Sequence, residues 1–163
     1  MKINKKMQEI INEQINHEFD SAYLYLSMAA YFESNNLLGF AAWMKKQAQE
    51  ESVHAMKFYQ YVHERQGIVA LKAIPQPKAE WKDALEAFSD AYAHELKVTG
   101  LIHMIADAAN AEKDHATSSF LKWFIDEQVE EEANADAIVQ KLKLIGEHKG
   151  ALMMLDRELG QRK

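Results

Sequence analysis

The chain has 163 residues, and we expect residues 1–163 to form a single domain. Apolar residues make up 48% of the chain, which excludes intrinsic disorder, and only 6 glycines and 2 prolines interrupt a composition that favours helix. The net charge of −6 argues against nucleic-acid binding, and the lack of cysteine excludes disulfides and thiolate chemistry. No apolar run is long enough for a membrane span and no secretory signal precedes the chain's first helix, so we expect a cytoplasmic protein.

Turn signals are few, and they divide the chain into four long helices and one short helix. They are the Ser34–Asn36 turn, the irregular segment Gly67–Pro77, the polar break Asn110–His115, and Gly146 and Gly150. The predicted helices are approximately 5–34, 37–65, 79–110 and 115–146, followed by a short fifth helix near 150–160.

The links between these helices predict the topology. The first and third links are tight, so each joins two antiparallel helices. The middle link contains Pro75 and Pro77 and holds about 14 residues, which span up to about 45 Å when extended. Since a helix of about 28 residues is about 42 Å long, this link can run the length of a bundle. The fold class that follows is all-α: a four-helix bundle with one long crossover between helices two and three, plus a short C-terminal fifth helix.

Each long helix carries an apolar stripe at three- and four-residue spacing that an acidic side chain interrupts near its middle. The stripes are Ile11, Ile15, Glu18, Ala22, Tyr25, Ala29 and Phe32; Phe40, Met44, Gln47, Glu51, His54, Phe58 and Tyr61; Trp81, Leu85, Phe88, Tyr92, Glu95, Thr99, Ile102 and Ala106; and Phe120, Phe124, Glu127, Glu131, Asn134, Ile138 and Leu142. Counted from the tight turns, Glu18 matches Glu51 in height and Glu95 matches Glu131, each within about 3 Å.

Four carboxylates at one level of a bundle core cannot all stay ionised without cations, because burying even one unpaired charge costs several kcal/mol. His54 follows Glu51 by three residues and can add a ring nitrogen on the same face. Oxygen-rich ligation with one imidazole suits iron or manganese and also binds zinc. A single glutamate in an apolar stripe is usually a residue whose carboxylate reaches water, but four at matched height indicate a metal site.

A family resemblance is carried by Glu18, Glu51-x-x-His54, Glu95 and Glu127-Gln128-x-x-Glu131. With these residues the chain resembles the non-haem ferritins, most closely the bacterial type, over essentially its whole length. This resemblance implies two irons with the following ligands: Glu18, Glu51 and His54 for the first iron, and Glu51, Glu95 and Glu131 for the second. It also implies that Glu51 bridges the irons, that the amide of Gln128 lies near the centre, and that Tyr25 lies beside it.

In the bacterial relatives a third iron is bound nearby, and the matching residues of this chain are Glu50, Glu127, Glu130 and Glu131. The run Glu130–Glu132 can equally form a solvated charged face. Trp123 also has a counterpart in bacterial members, and simple packing explains it at least as well.

The function implied by the resemblance is iron storage. Two ferrous ions would bind at the di-iron site, O2 or H2O2 would oxidise Fe2+ to Fe3+, and the ferric product would form an oxyhydroxide mineral. Storage needs a cavity, which the family builds as a homo-oligomer of 24 subunits, and the fifth helix favours this shell over the 12-subunit relatives. We hypothesise that Tyr25 donates an electron or a hydrogen bond during oxidation.

The chain departs from related families at three places. Gln128–Glu131 lacks the second Glu-x-x-His of bacterioferritins and rubrerythrins, and Ser52 replaces the haem-binding methionine of bacterioferritins, so we predict no haem. The acidic pair that lines the threefold channel of animal ferritins would fall near Ser118 and Leu121 and is missing, which leaves the iron entry route open.

Three other functions are alternatives: a peroxide-reducing di-iron enzyme without storage, a non-catalytic helical interaction protein, and a storage subunit without oxidase activity. We interpret the remaining histidines as surface or interface residues, because they lack partners at ligand spacing. These are His17, His63, His94, His103, His115 and His148.

Overall fold

The computed structural model describes residues 1–162, and within them it contains five α-helices and no strand. Helix α1 spans Lys5–Ser34, α2 spans Leu38–Glu64, α3 spans Ala84–Ala111, α4 spans His115–Ile145 and α5 spans Lys149–Leu159. The predicted all-α bundle with a short fifth helix is therefore confirmed. In this described part of the chain, no helix combines the length and apolarity that crossing a bilayer requires.

Aromatic contacts show how the long helices are oriented. The ring of Trp81, just before α3, packs against Tyr31 near the end of α1. Early in α3, Phe88 packs against Phe32 of α1 and Phe40 near the start of α2. Helices α2 and α3 therefore begin at the same end of the bundle and run parallel, as the long crossover predicted.

The crossover, residues 65–83, runs lengthwise along α1. Near its start, the Asn12 side chain donates to the backbone oxygen of Ile68 at 2.9 Å. Near its end, the Ser27 hydroxyl donates to the backbone oxygen of Lys78 at 2.7 Å. These side chains satisfy crossover backbone groups that have no helical partner, and they hold the segment against the bundle.

The start of α3 lies at Ala84 rather than at the predicted position 79. Asp83 is extended and its carboxylate accepts a hydrogen bond from the Glu86 N–H at 2.8 Å, which caps the helix there. Trp81, predicted as the first stripe residue of the helix, is nevertheless buried from its position before the cap.

Two apolar clusters fill the two ends of the bundle. One contains Phe32, Phe40 and Phe88, and the other contains Phe58 and Phe124. Buried polar side chains lie between the clusters, as the interrupted stripes predicted. In α4 the predicted inward residue Asn134 is exposed and Ala135 is buried instead, because the buried face turns slightly along this long helix.

Helix α5 docks on the start of α2. The Leu37 side chain makes no capping bond; instead, Asp156 Oδ1 of α5 accepts from the N–H groups of Gly39 at 2.8 Å and Phe40 at 2.9 Å. A Cβ on Gly39 would lie 1.6 Å from the Asp156 backbone oxygen. Only glycine therefore allows the two helices to approach this closely.

Candidate metal centre

The middle of the bundle is a layer of buried polar side chains between the two apolar clusters. Its members are Gln14, Glu18 and Ser21 from α1, Gln47, Glu51 and His54 from α2, Glu95 from α3, and Gln128 and Glu131 from α4. Each long helix contributes one of the four predicted glutamates, and all four are buried. The helical spacing of three residues places His54 beside Glu51 and Gln128 beside Glu131.

Glu18, Glu51 and His54 form one close group within the layer. Each offers a ligand atom, and these atoms lie within 4.8 Å of one another. Gln14 Nε2 donates to Glu18 Oε1 at 2.8 Å, whereas Glu18 Oε2 is buried and has no hydrogen-bond partner among the described residues. A buried carboxylate oxygen without a donor is costly, and a cation between these three side chains would remove the cost.

Gln47 connects two of the predicted ligands. Its Nε2 donates to Glu51 Oε1 at 2.9 Å and to Glu131 Oε2 at 2.8 Å. The second oxygen of Glu51 lies 3.1 Å from His54 Nδ1. The amide therefore holds the α2 and α4 carboxylates close together without neutralising either of them.

Glu95 is held by the two uncharged side chains that the resemblance placed beside the centre. The Tyr25 hydroxyl donates to Glu95 Oε1, and Gln128 Nε2 donates to Glu95 Oε2 at 3.2 Å. Burial and the charges of Glu95 and Glu51 raise the pKa of Tyr25 well above 10, so its hydroxyl keeps the proton that it donates.

Three of the four glutamates have pKa values near or above neutral pH because they are buried. Burial first, and the charge of Glu51 second, raise the pKa of Glu18 and of Glu95 to about 8. The same two causes raise the pKa of Glu131 to about 7. Burial lowers the pKa of His54, but its hydrogen bond to Glu51 and the surrounding carboxylates outweigh burial and raise it to about 9. The layer is thus a site of excess negative charge that protons or cations must balance.

The residues matched to a third iron lie in different surroundings. Glu127 is half-buried, and ligand atoms of Glu127, Glu131 and His54 lie within 4.8 Å of one another. Glu50 Oε2 is paired with Arg162 Nη2 at 2.5 Å. Glu130 is exposed. The structure therefore brings Glu127 and Glu131 together with His54, gives Glu50 an internal cation, and leaves Glu130 in solvent.

Trp123 packs edge-on against the His54 ring, with 5.4 Å between ring centroids. The Lys57 ammonium lies 3.8 Å from the centroid of the Trp123 ring. These contacts explain its position as packing over the outer side of His54, beside the candidate centre.

Several residues near the centre were not predicted from the sequence. Gln14 lies four residues before Glu18, on the same helical face, a spacing that could have indicated it. His94 was interpreted as a surface or interface residue, but its Nε2 lies 2.7 Å from Ser21 Oγ and its ring contacts Tyr25 edge-on. No sequence pattern indicated that Arg162 lies near the centre, because its contacts depend on how α5 docks on α2.

The donor set fits iron. Four carboxylates and one imidazole in a buried layer provide hard oxygen ligands, a borderline nitrogen ligand and excess negative charge. No thiolate is available, since the chain has no cysteine. Manganese and zinc are compatible with the same ligands.

Comparison with known proteins identifies relatives over nearly the full length. A model of the ferritin-like domain family matches residues 8–145. A bacterial non-heme ferritin of Bacteroides fragilis is 46% identical over 160 residues, which cover 98% of this chain and 99% of the relative. A bacterial non-heme ferritin of Staphylococcus saprophyticus is 42% identical over 160 residues, covering 98% of this chain and 96% of the relative.

Solved structures agree with this relationship. An open-pore ferritin from the hyperthermophilic archaeon Archaeoglobus fulgidus is 53% identical and superposes with a TM-score of 0.99, covering 100% of both chains. A closed form of the same organism's ferritin, engineered by site-directed mutagenesis, superposes with a TM-score of 0.98 at 53% identity, covering 99% of this chain and 98% of that one.

Proposed function

We propose that this chain, which belongs to the ferritin family, stores iron by oxidising Fe2+ at its buried centre and depositing the ferric product as an oxyhydroxide mineral. The observation that carries the proposal is the layer of four buried glutamates, one per long helix. The unpartnered Glu18 Oε2 and the raised pKa values of Glu18, Glu95 and Glu131 support it, because they indicate a layer that needs cations.

The proposed ligands are those that the resemblance implies. Glu18, Glu51 and His54 would hold the first ferrous ion, and Glu51 would bridge to a second that is held by Glu95 and Glu131. The separation of the carboxylates between four helices suits two neighbouring cations, because each helix supplies ligands from a different side. Gln128 and Tyr25 would orient Glu95 through the hydrogen bonds described above.

The reaction takes electrons from the substrate iron. Each ferrous ion gives one electron, and the pair reduces O2 to H2O2, or H2O2 to water, with uptake of two protons. The protons held by Glu18 and Glu95 near neutral pH must leave as ferrous ions bind. The residues of the layer thus bind the two ions side by side, exclude bulk water and release protons.

A third iron is proposed at Glu50, Glu127, Glu130 and Glu131. The proximity of Glu127 to Glu131 and His54 supports this position. It would hold iron on its way to or from the two-iron centre, and its carboxylates would need to gather from α2 and α4.

We also propose a homo-oligomeric shell of 24 subunits in the cytoplasm, without haem. A shell is required because one bundle has no room for mineral, and repeated interfaces close such shells. The outer face of α1 and α2 carries the half-exposed apolar side chains Tyr23, Leu26, Val53 and Met56. Apolar side chains grouped on one face are suited to contact with a second copy.

The test is ferrous oxidation by the purified apoprotein, followed in the near ultraviolet, with size-exclusion chromatography of the product. Fast oxidation by a particle of several hundred kilodaltons that retains hundreds of irons is expected. Glu51→Ala, which removes the proposed bridging carboxylate, should reduce the oxidation rate by at least about 100-fold, because losing only an outer partner of a metal ligand already costs up to about 100-fold. The matched control is Glu147→Ala, at an exposed glutamate.

The alternatives give different results. A small oligomer that oxidises iron but retains only a few ions would be a peroxide-reducing enzyme. A helical interaction protein would bind no metal and tolerate Glu51→Ala, and a storage subunit without oxidase activity would retain iron but oxidise it at the buffer rate. Oxidation by Glu51→Ala at the rate of the Glu147→Ala control would overturn the site assignment.

A further inference from the structure

The guanidinium of Arg162, which follows α5, lies against the candidate centre. Its Nη2 donates to Glu50 Oε2 at 2.5 Å, and its Nη1 donates to Gln47 Oε1 at 2.9 Å. The same group lies 4.5 Å from the centroid of the Trp43 ring. One planar cation therefore binds a carboxylate and an amide while it stacks on an aromatic ring, a combination suited to arginine and not to lysine.

The docking of α5 places Arg162 there. Asp156 binds the backbone at Gly39 and Phe40, at the start of α2. From that anchor the chain continues along α2, and Arg162 reaches Gln47 and Glu50 further down the same helix. The position of the guanidinium is thus set by a helix-to-helix contact that does not involve the candidate ligands.

Gln47 connects Arg162 to the buried layer. Its oxygen accepts from Arg162, and its nitrogen donates to Glu51 and Glu131. The acceptor bond to arginine fixes which end of the amide faces the carboxylates. Only one side chain therefore separates the guanidinium from Glu131.

We propose that Arg162 is a built-in cation that competes with a metal ion for Glu50. The inference rests on the proposed function, because Glu50 and Glu131 are two of the four carboxylates assigned to the third iron. The guanidinium holds Oε2 of Glu50, so a metal ion on the same carboxylate would lie only a few ångströms from it, and two positive charges at that separation repel each other. Metal entry at the third position therefore requires the Arg162 guanidinium to move away from Glu50.

The Arg162–Glu50 ion pair also has a function in the apoprotein. Glu50 adds negative charge next to a layer that already holds four buried glutamates. Arg162 balances that charge from the outside without contacting Glu18, Glu51, Glu95 or Glu131 within the described residues. The two-iron centre therefore stays open to cations, and the third position fills only after the arginine has been displaced.

The experiment titrates the assembled apoprotein with Zn2+, a redox-inert probe, by isothermal calorimetry. Three proteins are compared: the unmodified chain, Arg162→Gln, and Arg157→Gln as a control that removes an exposed arginine of α5. Two tight binding events per subunit should be the same in all three. A third, weaker event should be about fivefold tighter in Arg162→Gln only, the size expected for a partly exposed ion pair.

Each outcome decides the proposal. A third event of equal affinity in Arg162→Gln and Arg157→Gln overturns it and leaves the proposed function intact. The lack of any third event overturns it together with the proposed third iron, and leaves the two-iron centre intact. Failure to bind Zn2+ at all overturns the proposed function and the inference together. A fourth protein, Arg162→Lys, keeps the charge but cannot bond Glu50 and Gln47 together, so the affinity of its third event should lie between those of the two glutamine variants.

A crystal of the unmodified protein soaked in Zn2+ supplies a second readout that does not depend on affinity. Anomalous scattering should show zinc among Glu50, Glu127 and Glu131, with the Arg162 guanidinium moved away from Glu50. Zinc at this position with the Glu50–Arg162 pair intact would contradict the competition. A preserved Asp156 contact in both states would show that only the segment after the anchor moves.

Discussion

Each buried glutamate of the candidate centre is oriented by a neutral side chain. Gln14 donates a hydrogen bond to Glu18, and Gln47 donates to Glu51 and Glu131. Gln128 and Tyr25 donate to Glu95. A lysine or arginine in these positions would neutralise the carboxylates and take the place of a metal ion. An amide or phenol donates a hydrogen bond and leaves the negative charge available.

Tyr25→Phe removes a single donor oxygen and so tests whether a neutral donor is needed to orient Glu95. The ring remains to fill the core, but Glu95 Oε1 loses the hydroxyl that donates to it. An unmet buried acceptor costs about 1–3 kcal/mol, so we expect the apoprotein to melt several degrees lower. Iron oxidation should also slow, because Glu95 loses its orientation.

The control is Tyr31→Phe, which removes a hydroxyl from a half-buried tyrosine in the same helix. Calorimetric melting and stopped-flow oxidation would be measured on both variants. Melting temperature and oxidation kinetics that stay at the unmodified values in Tyr25→Phe would show that its hydroxyl serves neither stability nor chemistry.

At the scale of whole elements, side chains from distant parts of the chain bind backbone groups that have no partner in their own segment. Helix α2 begins without a side-chain cap of its own, and Asp156 of α5 supplies the missing acceptor. The crossover lacks regular structure, and Asn12 of α1 bonds its backbone. Helix α3 is the contrast, since Asp83 caps it locally and sets its start.

Gly39→Ala should separate α5 from the bundle. Its Cβ would lie 1.6 Å from the Asp156 backbone oxygen, and a backbone atom cannot yield as a flexible side chain does. We expect a loss of about 1–3 kcal/mol in the free energy of unfolding, with faster hydrogen exchange throughout α5.

Gly100→Ala is the matched control, because a Cβ at this exposed position of α3 would meet nothing within 4 Å. Alanine is the better helix former there, so this variant should be more stable by up to about 1 kcal/mol. A Gly39→Ala protein that melts as high as Gly100→Ala would refute the close packing of α5 on α2.

For the molecule as a whole, the acidic layer is a cost that the two apolar clusters offset. The clusters close both ends of the bundle, and burial drives three glutamates of the layer between them, Glu18, Glu95 and Glu131, to bind protons. Cations that replace these protons should stabilise the folded state, because the unfolded chain has no comparable site. Stability and metal binding are therefore linked in this protein.

The apoprotein should lose stability as pH rises from about 6.5 to about 9. The pKa of Glu18 and of Glu95 is about 8 when folded and 4.5 when unfolded, so the folded state holds more protons between these values. His54, with a pKa of about 9 against 6.5, loses its stabilising contribution between pH 6.5 and pH 9. All three effects have the same sign, whereas the lowered pKa values of His17 and His94 act in the opposite direction below pH 6.5. Calorimetric melting above pH 6.5 therefore measures the predicted loss of stability.

Saturating Zn2+ should flatten this pH dependence above neutral pH, since the metal takes the place of the protons. Glu18→Gln should reduce the slope in the apoprotein, whereas Glu147→Gln, at an exposed site, should leave it unchanged. A melting temperature that is constant or rises from pH 6.5 to pH 9 would contradict the raised pKa values of the layer.

Helical periodicity and the positions of the turns determined the bundle, its crossover and the height at which Glu18, Glu51, Glu95 and Glu131 meet. These features follow from the rise and repeat of a helix and from the positions of a few turns, which are local properties. Only the tertiary structure decided that His94 lies against Tyr25, that Asp156 caps α2, and that Arg162 lies on Glu50. Those contacts join residues far apart in the chain, and their geometry depends on how helices pack rather than on any local spacing.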